Sequence, residues 1–157
     1  MNKKTSLFLL FIILSASIMA RSTAVTEVSK SPFAGYLFAY FEGQGKQQEH
    51  LRFGISTDAV NWKALNRNYP VVSSDTISKS GGIRDPHIMR GEDGKSFYIV
   101  ATDMNVAKNG WGPNPGIVLM KSDDLIHWTH SYIELAKDFP KNFGNAHWVW
   151  APQQAFQ

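Results

Sequence analysis

The chain has 157 residues, of which 43% are hydrophobic, 13% aromatic and 18% charged, and it contains no cysteine. This length suits one domain or part of a larger one, and the lack of cysteine excludes disulfide bridges, cysteine-ligated zinc and a cysteine nucleophile. Residues 1–24 hold three of the 16 basic residues and no acidic one, which leaves 13 basic and 13 acidic residues after them. A formally neutral chain gives no electrostatic reason to expect a nucleic-acid partner.

Residues 1–24 are arranged like a secretory signal peptide. Lys3 and Lys4 precede an apolar run at 7–14, and small residues follow this run up to Ala24. This order is typical of an export signal, and the run is shorter than the roughly 20 apolar residues of a membrane span. We expect cleavage after Ala24, with Ala20 as a second candidate and an uncleaved anchor as the alternative. The mature protein is then expected to be secreted or periplasmic, without membrane contact.

From residue 33 onward the sequence predicts short strands. Runs of aromatic and β-branched residues are separated by Gly, Pro, Asn and Asp, and no long helical period occurs. The predicted strands span residues 35–41, 51–56, 60–65, 84–89, 96–102, 116–121, 127–133 and 149–155. Asp93-Gly94 predicts a hairpin turn because glycine accepts the positive φ that such a turn requires. Residues 107–115 are predicted to form a long loop.

A repeat organises these strands. Two motifs of the form S-x-D-x-x-x-W end at Trp62 and Trp128, 66 residues apart, and Pro86 and Pro152 have the same spacing. A unit of this length with about four strands predicts a blade of a β-propeller. Within the motif, Ser and Asp are expected to fix a turn through backbone hydrogen bonds, and Trp to pack between sheets. The motif is therefore predicted to be structural rather than catalytic.

The repeat predicts about two blades. Residues 35–65 supply three strands of one blade, residues 84–133 supply a full blade, and residues 149–157 supply the first strand of another. The predicted fold class is all-β, a partial β-propeller. Because a closed propeller typically has four to eight blades, we expect the chain to be the front part of a longer protein.

Asp85 is the first candidate for chemistry. The first strand of each blade lines the central channel of a propeller, and alternation along 84–89 predicts Asp85 and His87 on one face with Arg84 on the other. Asp85 stands in an otherwise apolar strand, after Gly81-Gly82 and before a proline. The alternative is a structural carboxylate paired with Arg84 or with backbone donors, and the opposite faces weigh against a pair with Arg84.

Three segments carry a specific resemblance: GGIRDPHIMRGEDGKSFYIVATDMN at 81–105, SDDLIHW at 122–128 and HWVWAPQQ at 147–154. In this order they resemble glycoside hydrolase family 43. The resemblance covers nearly all of residues 33–157 and implies a five-bladed β-propeller, of which this chain would hold the N-terminal part. It also implies hydrolysis of arabinofuranosyl or xylosyl linkages in plant-type polysaccharides with inversion. An oligo- or polysaccharide would then be the partner.

The resemblance assigns roles to single residues. Asp85 matches the family's general base, which takes a proton from the attacking water. An Asp that tunes the acid commonly follows the W-A-P triplet, and Gln153, which carries no charge, stands at that position. We expect Gln153 and His87 to face the channel and to bind substrate. The family's acid is a Glu of a later blade, so this chain is expected to be truncated, to lack the acid and to be inactive alone.

Aromatic residues supply further candidates. Trp111 in the glycine-rich loop is predicted to stack against a sugar ring, as is Trp148 or Trp150, although Trp150 has packing between blades as an alternative. Asp103 ends a predicted strand and is a candidate for substrate binding or for capping a turn. No metal-ligand cluster, phosphate-binding loop or serine nucleophile elbow occurs in the sequence, so we expect neither metal nor cofactor.

Two other interpretations stay open. The first is a non-catalytic carbohydrate-binding propeller or a degenerate fragment, in which Gln153 records the loss of catalysis. The second is a sialidase-type propeller, because the S-x-D-x-x-x-W motif is similar to the Asp-box. Sialidases rely on arginines that line the site, and only Arg84 lies near, on the predicted opposite face. A Glu pointing inward from a further blade would favour the enzyme.

Overall fold

The computed structural model describes residues 34–43 and 47–156, all within one compact unit that spans Pro32–Gln157. The predicted signal peptide at residues 1–24 lies outside the described residues. In the described part, no helix has the length and hydrophobicity that crossing a membrane requires.

The first sheet has three antiparallel strands in the order β1-β2-β3. They are β1 at Tyr36–Tyr40, β2 at Arg52–Ser56 and β3 at Lys63–Ala64. Three strands were predicted here, and three form. The third is shorter than the predicted range 60–65, because Asp58 accepts hydrogen bonds from the backbone of Val60 and Asn61 and holds these residues in a turn.

The second sheet has four antiparallel strands in the order β4-β5-β6-β7. They are β4 at Ile83–Arg90, β5 at Phe97–Asp103, β6 at Gly116–Ser122 and β7 at Thr129–Glu134. The predicted full blade is therefore confirmed. Gly94 takes a φ of 67° in the turn between β4 and β5, as the Asp-Gly pair predicts.

Short helical segments occupy the connections. They are a 3-10 helix at Asn66–Asn68, α1 at Ser74–Ile77, α2 at Val106–Asn109, α3 at Leu135–Asp138 and α4 at Pro140–Phe143. The sequence predicted none of them, because a segment of three or four residues is too short to show a helical period.

One apolar core joins the two sheets. Its buried members are Ala39, Leu51, Phe53, Ile77, Ile83, Ile99, Ala101, Val118 and Met120. Trp128 packs against this core with its ring 6.1 Å from that of Phe53, and the sheets also meet along β1 and β4. The chain is thus all-β, with two packed antiparallel sheets that are consistent with blades of a partial propeller.

Both S-x-D-x-x-x-W motifs form the same turn. Asp58 accepts a hydrogen bond from the Ser56 hydroxyl at 2.9 Å, and Asp124 accepts one from Ser122 at 3.1 Å. Asp124 also accepts hydrogen bonds from two backbone N–H groups, as Asp58 does. The turn predicted for the motif is therefore confirmed in both copies. Among the described residues, the predicted packing between sheets holds for Trp128 but not for Trp62, which is 44% exposed.

The strand predicted at 149–155 is wrong. Residues 149–155 form no strand, and a single parallel bridge joins Trp148 to Asn114 just before them. Pro152 has no N–H to donate and Ala151 has a φ of 48°, so neither suits a regular ladder. Side-chain hydrogen bonds hold the stretch instead, from the Gln154 amide to the carbonyl oxygens of His87 and Tyr98.

Candidate functional site

A β-bulge interrupts β4 at Asp85. Arg84 pairs with Thr102 and His87 with Val100, so Asp85 and Pro86 together lie opposite a single residue of β5. Asp85 has a φ of 49°, in the left-handed region. Bulges of this kind bend a strand and redirect a side chain, and they are frequent beside active sites.

The bulge overturns the predicted alternation. Thr102 and Val100 are two residues apart on β5 and therefore share a face of the sheet. Their partners Arg84 and His87 then share that face as well. The predicted placement of Arg84 and His87 on opposite faces is wrong, because the extra residue in the bulge shifts the parity of the strand.

Ala151 repeats the backbone geometry of Asp85. It has a φ of 48°, precedes Pro152 and stands 66 residues after Asp85. The spacing of the two prolines was visible in the sequence, and the structure shows that it marks two equivalent left-handed positions.

Asp103 fixes the loop that leads into β4. It is 5% exposed, and its carboxylate accepts hydrogen bonds from the backbone N–H groups of Lys79 at 3.0 Å and Ser80 at 2.9 Å. A Cβ on Gly82 would lie 2.5 Å from the carbonyl oxygen of Met104, so the loop needs glycine there. This geometry is that of the turn cap, while substrate binding by Asp103 stays a prediction.

The Asp85 carboxylate is half-buried, and no donor within residues 34–43 and 47–156 forms a hydrogen bond with it. Arg84, its sequence neighbour, instead pairs with Glu49, with 2.9 Å between Nη1 and Oε1. The alternative in which Asp85 pairs with Arg84 is therefore wrong. With respect to the described residues, the Asp85 oxygens keep their lone pairs available to a ligand or to water.

No pattern in the sequence indicated the role of Glu49. Glu49 stands in a polar stretch of the sequence, yet its side chain is 1% exposed and accepts hydrogen bonds from three donors. Besides Arg84, these are the backbone N–H groups of Val106 at 2.8 Å and Ala107 at 3.3 Å. The partners lie 35 to 58 residues away along the chain, so no local pattern could reveal them.

Arg84 is held between two aromatic rings. Its guanidinium carbon lies 4.7 Å from the ring centroid of Phe41 and 4.9 Å from that of Trp111. Trp111 remains 61% exposed, so the rest of its indole is open to a ligand. Trp111 is thus in contact with the residue that directly precedes Asp85.

Three exposed indoles form a continuous surface, which we call the tryptophan platform: Trp111, Trp148 and Trp150. The ring of Trp150 meets that of Trp111 at 6.3 Å and that of Trp148 at 5.5 Å, both edge to face. Trp148 is 49% exposed and Trp150 is 54% exposed. Within the described chain, Trp150 thus lies on this surface, and packing between blades stays its alternative.

The platform is tied to the β4–β5 pair. The indole N–H of Trp150 donates to the side-chain oxygen of Asn114, and the backbone N–H of Ala151 donates to the Thr102 hydroxyl at 3.1 Å. Thr102 is the partner of Arg84 in the sheet. The platform therefore stands beside the bulge that carries Asp85.

The other two candidates are placed differently. Nδ1 of His87 accepts a hydrogen bond from the backbone N–H of Gln154 at 3.4 Å, which requires the tautomer with its proton on Nε2. Gln153 is exposed, and none of the described residues forms a hydrogen bond with it. Substrate binding by His87 and Gln153 stays a prediction. Among the described residues, no group of three His, Asp or Glu side chains could hold a metal ion.

Comparison with known proteins identifies the class. Residues 31–157 match the family described as "Probable glycosyl hydrolase domain", which is related to glycoside hydrolase family 43, and the chain belongs to this family. The resemblance found in the sequence is thereby confirmed.

One curated relative is the protein named "Alpha-L-arabinofuranosidase" from Bifidobacterium longum subsp. longum. The two are 27% identical over 130 residues, a match that covers 78% of this chain and 12% of the relative. The chain therefore spans a small part of the length of that protein. No solved structure matches this chain.

Proposed function

We propose that this chain carries the general base and part of the substrate surface of an inverting glycoside hydrolase that acts on arabinofuranosyl or xylosyl linkages. The observation that carries the proposal is the Asp85 carboxylate, which stands on the bulge of β4 beside the tryptophan platform and without a hydrogen-bond partner in the described chain. Family membership supports glycoside hydrolysis, and the name of the relative supports an arabinofuranosyl substrate.

The proposed reaction is a direct displacement by water. Asp85 accepts a proton from a water molecule as its oxygen bonds to the anomeric carbon, while the bond from that carbon to the leaving oxygen breaks. The leaving oxygen takes a proton from a general acid about 6.5–9.5 Å from the base. The indole faces of the platform offer flat apolar area to the C–H faces of the sugar.

None of the described glutamates is suited to the role of the acid. Glu49 already accepts three hydrogen bonds, Glu42 pairs with Arg52 and Glu134 pairs with Lys79. Glu92 lies in the exposed turn between β4 and β5. We therefore propose that the acid is a group other than these. The 157-residue chain by itself is then inactive on ordinary glycosides and acts only on a leaving group that requires no protonation.

A substrate with an activated leaving group tests this proposal. We expect the full chain to release dinitrophenol from 2,4-dinitrophenyl α-L-arabinofuranoside or the matching β-D-xyloside, and to leave unactivated arabino-oligosaccharides intact. Asp85→Asn should slow the release by about 10²- to 10⁴-fold, the usual contribution of a general base. Asp75→Asn is the matched control, because Asp75 is exposed and should leave the rate unchanged. Equal rates for wild type and Asp85→Asn would refute the role of Asp85.

A second candidate function is carbohydrate binding without catalysis. The exposed Gln153, at the position where relatives of the family commonly hold an Asp, favours it. In that case the chain would bind an arabinosylated xylotriose in calorimetry with the same affinity before and after Asp85→Asn, and neither protein would release dinitrophenol.

We also propose export to the periplasm or the medium, on the strength of the charged start and apolar run within residues 1–24. Mass spectrometry of the exported protein should find a new N-terminus at Val25, or at Arg21 if cleavage follows Ala20. An intact Met1 in the exported fraction would contradict cleavage.

A further inference from the structure

Glu49 is a buried carboxylate with a complete set of partners. Its Oε1 accepts hydrogen bonds from Arg84 at 2.9 Å and from the N–H of Val106 at 2.8 Å, and its Oε2 accepts one from Ala107 at 3.3 Å. A buried charge is expensive unless it is paired and hydrogen-bonded, so the geometry of this cluster is strongly constrained.

The backbone of Glu49 is also fixed. Its N–H donates to the carbonyl oxygen of Glu42 at 2.8 Å, and its own carbonyl oxygen accepts from the N–H of Ile83 at 2.7 Å and from the Ser74 hydroxyl at 2.9 Å. Ile83 is the first residue of β4. Glu49 therefore anchors the start of the strand that carries Asp85.

Each side-chain partner of Glu49 leads to a different part of the site. Arg84 precedes Asp85 and lies between the rings of Phe41 and Trp111. Val106 and Ala107 begin α2, which ends two residues before Trp111. The Glu49 carboxylate therefore contacts both β4, the strand that carries Asp85, and α2, the segment that precedes Trp111.

We propose that Glu49 is a positioning residue. It acts through Arg84 and through the start of α2 to hold the Trp111 ring at a fixed position relative to Asp85. Its effect on substrate rests on the proposed function, whereas the link to Trp111 can be measured without a substrate. Arginine is required at position 84, because a planar guanidinium can pair with the Glu49 carboxylate and stack on the rings of Phe41 and Trp111 at once, whereas an ammonium group cannot.

Fluorine NMR of the chain labelled with 5-fluorotryptophan tests the link directly. The five tryptophans give five signals, and Trp111→Phe identifies the one that belongs to Trp111. In Arg84→Lys and in Glu49→Gln we expect this signal to move and to sharpen. The first variant replaces the stacked guanidinium, and the second removes the charge that holds Arg84 and the start of α2 in place. The signal of Trp128, which packs against the core, should stay in place.

Binding provides the second measurement. The dissociation constant for an arabinosylated xylotriose should rise on the order of tenfold in both variants, since a site that loses its preorganised geometry binds more weakly. Glu92→Gln is the matched control. It makes the same chemical change in an exposed turn and should alter neither the Trp111 signal nor the affinity.

The outcomes separate this proposal from its alternatives. An unchanged Trp111 signal in Arg84→Lys would overturn it, and so would equal changes in all five signals, since these would indicate a role in global stability alone. If Glu49→Gln fails to fold, Arg84→Lys decides. If wild type does not bind the saccharide, the proposed function fails, while the Trp111 signal still decides whether Glu49 and Arg84 position the platform.

Discussion

Two residues that carry a Cβ, Asp85 and Ala151, take the left-handed conformation before a proline. This conformation costs roughly 1–2 kcal/mol for most L-residues, while Asp is among the few that tolerate it. At residue 85 the strained backbone carries a carboxylate to which we assign a role in the reaction. At residue 151 the same backbone conformation carries only a methyl group, to which we assign no functional role.

Ala151→Gly should therefore stabilise the chain. Glycine removes the steric cost of the left-handed position but loses more entropy on folding, so we expect a net gain of roughly 0.5–1 kcal/mol in the free energy of unfolding. Urea unfolding followed by circular dichroism measures this gain. Ala155→Gly, at an exposed position with an ordinary φ, is the control and should lower the stability slightly. A loss of stability in Ala151→Gly would show that the left-handed position carries no strain.

At the residue scale, the sequence revealed some site residues and concealed others. Asp85 was found because a carboxylate in an apolar strand is unusual, and Trp111 because a large ring in a glycine-rich loop is hard to place in a core. Glu49 stands in a polar stretch with no unusual neighbours. Its burial depends on Arg84 and α2, which only the folded chain brings to it.

At the scale of single elements, the hairpin between β4 and β5 depends on one carboxylate. Asp93 accepts hydrogen bonds from the hydroxyl of Ser96 and from the backbone N–H groups of Lys95 and Ser96. These bonds, led by the one from the Ser96 hydroxyl, lower the pKa of Asp93 to about 2. Because the folded pKa lies below the unfolded one, the ionised carboxylate stabilises the folded state above about pH 4.

This stabilisation should be lost as the pH falls from about 4 to about 2. We expect Asp93→Ala to melt at a lower temperature than wild type at pH 6, with a difference that shrinks across this window as the wild-type carboxylate takes up its proton. Thermal denaturation at several pH values measures the difference. Glu92→Ala changes the neighbouring residue of the same turn and should follow wild type throughout. A difference for Asp93→Ala that stays constant down to pH 2 would contradict the assignment.

The elements themselves were largely predictable. Seven of the eight predicted strands form, because runs of aromatic and β-branched residues between turn residues specify extended backbone. The eighth prediction failed at Ala151 and Pro152, where positive φ and a missing N–H prevent a ladder. The face of His87 was also missed, since a bulge is a property of the pairing with β5 and leaves no period in β4 itself.

At the scale of the whole described unit, the two S-x-D-x-x-x-W tryptophans have different surroundings. Trp128 packs against the core that joins the sheets, with its ring 6.1 Å from Phe53. Trp62 lies on the outer face of the first sheet, 44% exposed, with its ring 5.5 Å from Phe38. The motif predicts the turn equally well in both places, but it cannot tell what lies beside each ring, because this depends on the neighbouring sheet.

A pair of matched substitutions measures that difference. Trp128→Ala removes apolar contact from the interface between the sheets and leaves a cavity, so it should cost about 2–4 kcal/mol of unfolding free energy. Trp62→Ala should cost about 1 kcal/mol or less, since its ring already faces solvent and loses the contact with Phe38 and an exposed hydrogen bond from the indole N–H to the carbonyl oxygen of Ala59. Both turns keep their Ser and Asp hydrogen bonds, so each variant serves as the control for the other. If urea unfolding shows equal losses of unfolding free energy in the two variants, the packing of Trp128 against the core contributes no stability beyond that of the turn. The rest of the core alone would then hold the two sheets together.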